Sequence, residues 1–294
     1  MTSEPFRIGA VAIGPAGRDP APLRAEAEAG IRRAAGAGAR LVVLPELFAW
    51  PYAAAEDPAA WPVAEPGDGP TSRWAARLAI QHEVGILWGA AIERTGGLPV
   101  NAARLARPDG RVETVAAKIH LPPASREDLY GEADHFSAGP PRVTAFTFGP
   151  VRVAPLVCYD RRFPECWGAA AAAGADVVAV LVAGPAPGDP PGFFRGELAT
   201  HARSNAVYAI AAARFGTETV TGRPVAHDGE TVAVRPDGHV VLAAAPPGEP
   251  LVLLDVDAGR LAAARDGNPT ARRLRVGGAP TQDPAFQGET PWQN

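Results

Sequence analysis

Between Val151 and Trp167 the chain reads VRVAPLVCYDRRFPECW, and no other stretch limits the fold as tightly. Its first seven residues are an apolar run of the kind that forms a mostly buried strand. The run stops on Cys158. Tyr159, Asp160, Arg161 and Arg162 follow at once, and Phe163-Pro164-Glu165 opens an alanine-rich helical segment. Pro164 suits a first helical turn, and Glu165 suits the positive end of the helix dipole. The thiol therefore sits where a strand turns into a helix, beside backbone N–H groups with no partner of their own. That is the geometry of a nucleophile with an oxyanion site next to it. Taken alone, a Cys at the end of an apolar strand is more often a small buried hydrophobe. Two further stretches change that reading.

The first is Arg40 to Leu44, a short apolar run that follows a helical segment (Pro20 to Gly36) and a first strand (Phe6 to Gly14). Strand, helix and buried strand in this order suggest a βαβ unit. The run ends in Pro45-Glu46, with Leu47, Phe48 and Trp50 beyond. A Glu is usually solvated or caps a helix. In this apolar setting the carboxylate of Glu46 is desolvated instead, which suits a general base or acid. The second stretch is a hairpin, Val100 to Ala106 and Arg111 to Ala117, around Pro108-Asp109-Gly110, a turn signal. Its second strand runs into Lys118, placed at a strand end as Glu46 and Cys158 are. A lone strand-end Lys is normally exposed.

The remaining elements fit the same α/β alternation. Helices are expected over Pro70 to His82, Pro164 to Ala173 and Phe193 to Ala206. Strands are expected over Val84 to Ile92, Arg142 to Phe148, Val151 to Val157, Asp176 to Leu181, Val207 to Ala213, Thr231 to Arg235, His239 to Ala243 and Leu251 to Val256. Ala49 to Gly69 and Pro122 to Gly139 are loops, the first long enough to wall a pocket. No linker divides the chain, so residues 1–264 read as one domain. Residues 265–294 read as a polar extension packing on that domain or on a partner copy.

Composition excludes several classes. Of 294 residues, 47% are hydrophobic and 20% charged, so the chain is globular. A net charge of −4 and the absence of a basic run argue against nucleic acid as partner. No apolar run approaches the ~18 residues of a membrane helix, and the N-terminus lacks the features of a signal peptide. A cytoplasmic protein with no membrane partner is expected. The two cysteines, Cys158 and Cys166, are then unlinked, with Cys166 a packing residue. No His/Cys cluster has zinc spacing, so no metal is expected.

Glu46, Lys118 and Cys158 together have a specific use. A thiolate attacks a carbonyl or nitrile carbon, and a carboxylate carries the proton from thiol to leaving amine. An ammonium and a backbone N–H hold the oxyanion. On LVVLPE ending at Glu46, AAKIHLP around Lys118 and VCYDRRFPE around Cys158, the chain resembles the nitrilase, or carbon–nitrogen hydrolase, superfamily. NAARLARPDG, GADVV and RSNAVYAIAAARFG extend the likeness from about Phe6 to about Val256. The resemblance implies an αββα sandwich of two mixed sheets flanked by helices and extended by dimerisation. It also implies the Glu46–Lys118–Cys158 triad and no metal or organic cofactor. In EADHFSAG it marks Glu132 as a second glutamate that holds Lys118, with Glu127 the alternative in another register. Tyr159 supplies the oxyanion N–H. Ser204-Asn205 and Ala213 depart from a Glu-Asn pair and an Asn common among relatives, which bears on the subfamily rather than the triad.

The CYD-R-F-P pattern is similar to the amidase branches, which implies release of ammonia from a small-molecule amide through a thioester. An N-carbamoyl amide hydrolase or a nitrilase would use the same triad. Arg161 and Arg162 either bind a substrate carboxylate or pair with Asp160 and Glu165 to hold the turn. Trp50, Trp61 and Trp88 either line a pocket or fill a core. From outside this class come a catalytically silent binding protein and a redox-sensing thiol, the latter because Lys118 would lower the pKa of Cys158.

Overall fold

The computed structural model describes residues 5–15, 17, 19–52, 63–123, 131–183, 189–220, 222–227, 230–242 and 251–268. Glu127 and Trp61 lie outside these residues, as does most of the C-terminal extension.

Two six-stranded sheets carry the fold. In the first, β1 (Phe6–Val11), β2 (Leu41–Val43) and β3 (Gly85–Ile92) run parallel. The hairpin partners β4 (Val100–Ala106) and β5 (Val112–Ala117) continue the sheet antiparallel on one side. In the second, β7 (Val151–Val157), β8 (Val177–Val182) and β9 (Tyr208–Ala213) run parallel, with β6 (Phe146–Phe148) antiparallel at one edge. A separate hairpin, β10 (Gly216–Val220) with β11 (Arg223–His227), follows β9. β12 (Val232–Val234) and β13 (Val240–Leu242) complete the second sheet beyond β9. The last strand, β14 (Leu251–Val256), returns to the first sheet and pairs antiparallel with β1.

The sheets pack face to face. Ile8, Leu41, Val43, Leu87 and Leu105 of the first sheet share one core with Val153, Val177, Leu181 and Ile210 of the second. Alternate residues of the same strands point outward. Val42, Ile86 and Trp88 meet α1 (Ala21–Gly36) and α2 (Pro70–His82). Leu156, Val178 and Ala211 meet α3 (Pro164–Ala172) and α4 (Phe193–Asn205). Central strands covered on both faces have no polar side to show, which is why their sequences are continuous apolar runs. Each helix buries one stripe; in α1 it is Leu23, Ala27, Gly30, Ile31 and Ala34, spaced at three and four residues. The αββα layering implied by the resemblance is thus present within one chain.

Several expectations are corrected. The hairpin β10–β11 was not foreseen, because Gly216–His227 is polar and does not alternate. A fifth helix, α5 (Ala258–Gly267), starts on Asp257, whose carboxylate accepts the Arg260 N–H at 2.6 Å. It was not expected from the sequence, and its last residues, 265–267, are the first of the expected extension. Strand β6 is shorter than expected, since residues 142–145 lie outside the ladder. Of the two roles open to Trp88, the structure shows the core: it is fully buried against α1 and α2. No helix of the described residues is long and apolar enough to cross a membrane.

Candidate active site

The sheets bring their carboxyl ends to a common edge, but the groups singled out there come from both sheets rather than one. Glu46 stands three residues past β2, and Lys118 directly follows β5, both in the first sheet. Cys158 directly follows β7 in the second.

Two backbone features fix this edge. Among the described residues, four non-glycines have left-handed φ. Glu83 and Ala206 are helix C-caps, an ordinary use of that conformation. The other two are Leu47 (φ 44°), next to Glu46, and Cys158 itself (φ 46°). Such a conformation costs roughly 1–2 kcal/mol in a residue with a Cβ, and here it falls where reactive side chains are aimed. Glycines provide the clearance. A Cβ on Gly89 would lie 2.3 Å from the Cα of Glu46, and one on Gly139 2.7 Å from the Ala117 carbonyl oxygen. Gly89 N–H donates to the Pro45 carbonyl (3.1 Å) and Gly139 N–H to that of Lys118 (2.7 Å), so both glycines press against the segments that carry the site.

Glu46, Lys118 and Glu132 form one buried cluster, none more than 1% exposed. The Lys118 ammonium donates to Glu46 Oε1 and to Glu132 Oε1, each at 2.8 Å. Two residues that the sequence reading missed complete it. Asn101, at the start of β4, donates its amide to Glu46 Oε1 at 2.7 Å and reaches Glu132 Oε2 at 3.5 Å. The Tyr52 hydroxyl donates to Glu132 Oε1 at 2.7 Å. Asn101 opens the NAARLARPDG stretch and is the strand neighbour of Lys118, whose N–H bonds its carbonyl at 2.8 Å. That position was the available signal. Tyr52 lay in the loop expected to wall a pocket, and nothing in its sequence setting marks it. From the second sheet, the N–H of Ala183, one residue beyond β8, donates to Glu46 Oε2 at 3.1 Å.

The electrostatics follow from burial. Desolvation alone would lower the Lys118 pKa, but Glu132 and Glu46 outweigh it and hold the ammonium charged, above its ordinary range. Desolvation raises the Glu132 carboxyl against the opposing pull of Lys118. Cys158 is partly exposed, at the start of a 3₁₀ turn (Cys158–Arg162). Burial, then the charge of Glu46, pushes its thiol up to about 12, and Lys118 and Arg161 only partly offset this. This direction is opposite to the lowering by Lys118 on which the redox-sensor reading rests.

Tyr159 follows Cys158 in the first turn of the 3₁₀ segment, where N–H groups have no acceptor within the helix. Arg161 and Arg162 do not pair with Asp160 and Glu165. Arg161 is buried, with Glu197 as its ion-pair partner, and its guanidinium stacks over the Phe194 ring at 4.6 Å. Arg162 pairs with Asp189 at 2.5 Å. These acids lie on α4 or just before it, and their distance in sequence hid them. Asp160 instead accepts the N–H groups of Ile119 and His120.

Metal-type donors converge in one place among the described residues: His120, Asp160 and Cys166 lie within 4.8 Å of one another. His120 Nδ1 meets Asp160 Oδ1 at 2.9 Å, its ring stacks on Phe163 at 3.7 Å, and Cys166 is buried in the outer core of the second sheet.

Comparison with known proteins bears on this arrangement. The carbon–nitrogen hydrolase family pattern matches residues 7–266. An (R)-stereoselective amidase of Pseudomonas sp. is 31% identical over 224 residues, 76% of this chain and 76% of its own length. A nitrilase of Pyrococcus abyssi is 29% identical over 255 residues, 85% of this chain and 89% of its own. Among solved structures, a mutant of the amidase from Nesterenkonia sp. AN1 superposes with a TM-score of 0.71 at 25% identity, covering 89% of this chain and 97% of that one. That structure shows the result of Michael addition of acrylamide at its active site cysteine.

Proposed function

Because the chain belongs to the carbon–nitrogen hydrolase family of the nitrilase superfamily, we propose that it is an amidase, turning a small carboxamide and water into a carboxylic acid and ammonia. One observation carries the reading: a buried Glu–Lys–Glu cluster acts electrostatically on a thiol held at a strained strand end.

A thiol held neutral near neutral pH needs a base in attendance rather than a standing thiolate. Glu46 fills that role. Its Oε1 already accepts from Lys118 and Asn101, while Oε2 accepts the Ala183 N–H, so Oε2 keeps a lone pair for the proton. The Cys158 sulfur forms a bond to the amide carbon as its proton passes to Glu46. The carbonyl electrons move onto oxygen, where the Lys118 ammonium and the Tyr159 N–H hold the charge. The C–N bond then breaks, the nitrogen takes the proton from Glu46, and ammonia leaves. Water attacks the thioester as Glu46 accepts its proton, the C–S bond breaks, and the sulfur regains its proton. Glu132 and Tyr52 hold Lys118 in place throughout. Arg161 and Arg162 brace the turn through Glu197 and Asp189; a substrate carboxylate would have to displace one of these acids. A homodimer belongs to the same reading, and sedimentation measures it.

The test is ammonia release from a panel of neutral carboxamides, dicarboxylic monoamides, N-carbamoyl amino acids and nitriles. Turnover of a carboxamide that falls by about 10⁴-fold or more in Cys158→Ala is the expected result. Turnover confined to nitriles or carbamoyl compounds would move the protein to those branches. Turnover that survives Cys158→Ala would overturn the mechanism.

A further inference from the structure

The groups of the proposed reaction are divided between the two sheets, so their alignment depends on how the sheets are fastened at this edge. Lys118 is the last residue of the β5 side held by strand pairing, through Asn101. The next two N–H groups, of Ile119 and His120, are met from the turn that follows β7 of the second sheet. There they meet one carboxylate. Asp160 Oδ1 accepts His120 N–H at 2.8 Å, and both its oxygens stand 3.2 Å from Ile119 N. The same Oδ1 meets His120 Nδ1 at 2.9 Å. Asp160 is 2% exposed and lies two residues from Cys158, inside the turn that begins on the thiol.

We propose that Asp160 is a positioning residue, whose carboxylate ties the segment following Lys118 to the turn carrying Cys158 and so sets the ammonium against the sulfur. It gives the segment beyond the edge strand β5 an acceptor from the turn that follows β7. Hydrogen bonds to a buried carboxylate are about twice as strong as neutral ones, which makes the tie stiff as well as local. The inference rests on the reading of Cys158 as nucleophile with Lys118 beside it, but its test does not require that the substrate be known.

The two thiols make the test internal. Arg161 and Arg162 separate Cys158 from Cys166, so trypsin places them on different peptides and mass spectrometry follows each alkylation by iodoacetamide. Burial, and then the charge of Asp160, raises the Cys166 thiol, whereas Lys118 partly offsets the rise at Cys158. Asp160→Asn keeps the size of the side chain and an acceptor oxygen but removes the charge; Asp160→Ala removes both. At fixed alkaline pH, alkylation of Cys158 is expected to slow by about tenfold in Asp160→Ala, and less in Asp160→Asn, while Cys166 reacts faster in both. On the amide that the panel identifies, kcat should fall by about tenfold or more with KM changed by no more than about threefold. A general loosening would speed both thiols, and that outcome, or an unchanged Cys158 rate in the folded Asp160→Asn protein, would overturn the proposal. If no amide is turned over by the wild type, the amidase reading fails while the alkylation contrast still decides the role of Asp160.

Discussion

At the scale of single residues, the site is made by what is left out as much as by what is present. Gly89 has no side chain where Glu46 needs its backbone. Gly89→Ala must move either β3 or the Glu46 segment, at a cost of about 1–3 kcal/mol or more. Lowered thermal stability with a steep loss of kcat is the expected outcome, read by calorimetry and by turnover. A variant with unchanged Tm and kcat would show that the segment has room to give. Glu46, Lys118 and Cys158 could be singled out in the sequence because each follows an apolar run and the three chemistries together have a use that none has alone. Asn101 and Tyr52 do not stand out in that way. An Asn at a strand start and a Tyr in a loop are ordinary residues, and they become parts of the site only when strand register and loop path set them beside Glu46 and Glu132. The partners of Arg161 and Arg162 were hidden in the same manner: sequence proximity favoured Asp160 and Glu165, but the turn points the guanidiniums at α4.

At the scale of elements, legibility tracked burial. The sequence reading placed α2, β4, β7 and β14 at their observed ends and most central strands to within a residue or two, since strands covered on both faces must be continuous apolar runs. It missed the β10–β11 hairpin and α5, which are polar or small-residue segments with little face to bury. Apart from Leu261, the helix α5 has no fully buried residue, so its start depends more than usual on its cap. Asp257→Ala removes the acceptor of the Arg260 N–H and is expected to cost about 1 kcal/mol. Hydrogen exchange confined to residues 258–267 would register the loss even where global Tm barely moves; unchanged exchange would mean that packing, not the cap, holds the helix.

At the scale of the whole molecule, buried groups make stability depend on pH. The Cys158 thiol rises from an ordinary 9.0 to about 12 on folding. Between those values the unfolded chain has released its proton and the folded chain has not, so the unfolded state binds fewer protons and stability falls as pH rises. The slope approaches about 1.4 kcal/mol per pH unit for one such group. Lys118, held above its ordinary 10.5 by Glu132 and Glu46 against desolvation, adds to the decline once the pH passes that value. Denaturant midpoints should therefore drop from about pH 9 upward, and the drop should be shallower in Cys158→Ala; a parallel decline in both proteins would assign it elsewhere. The same division of groups between sheets has another consequence. A cut in the connection between Gly139 and Phe146 would leave Glu46, Asn101, Lys118 and Glu132 on one fragment and Cys158 on the other, with β14 of the first sheet stranded on the second fragment. Neither piece holds a complete reaction centre or, for the first, a complete sheet. Fragment complementation would then be legible as chemistry: each molecule of product would report two halves that had found the correct register.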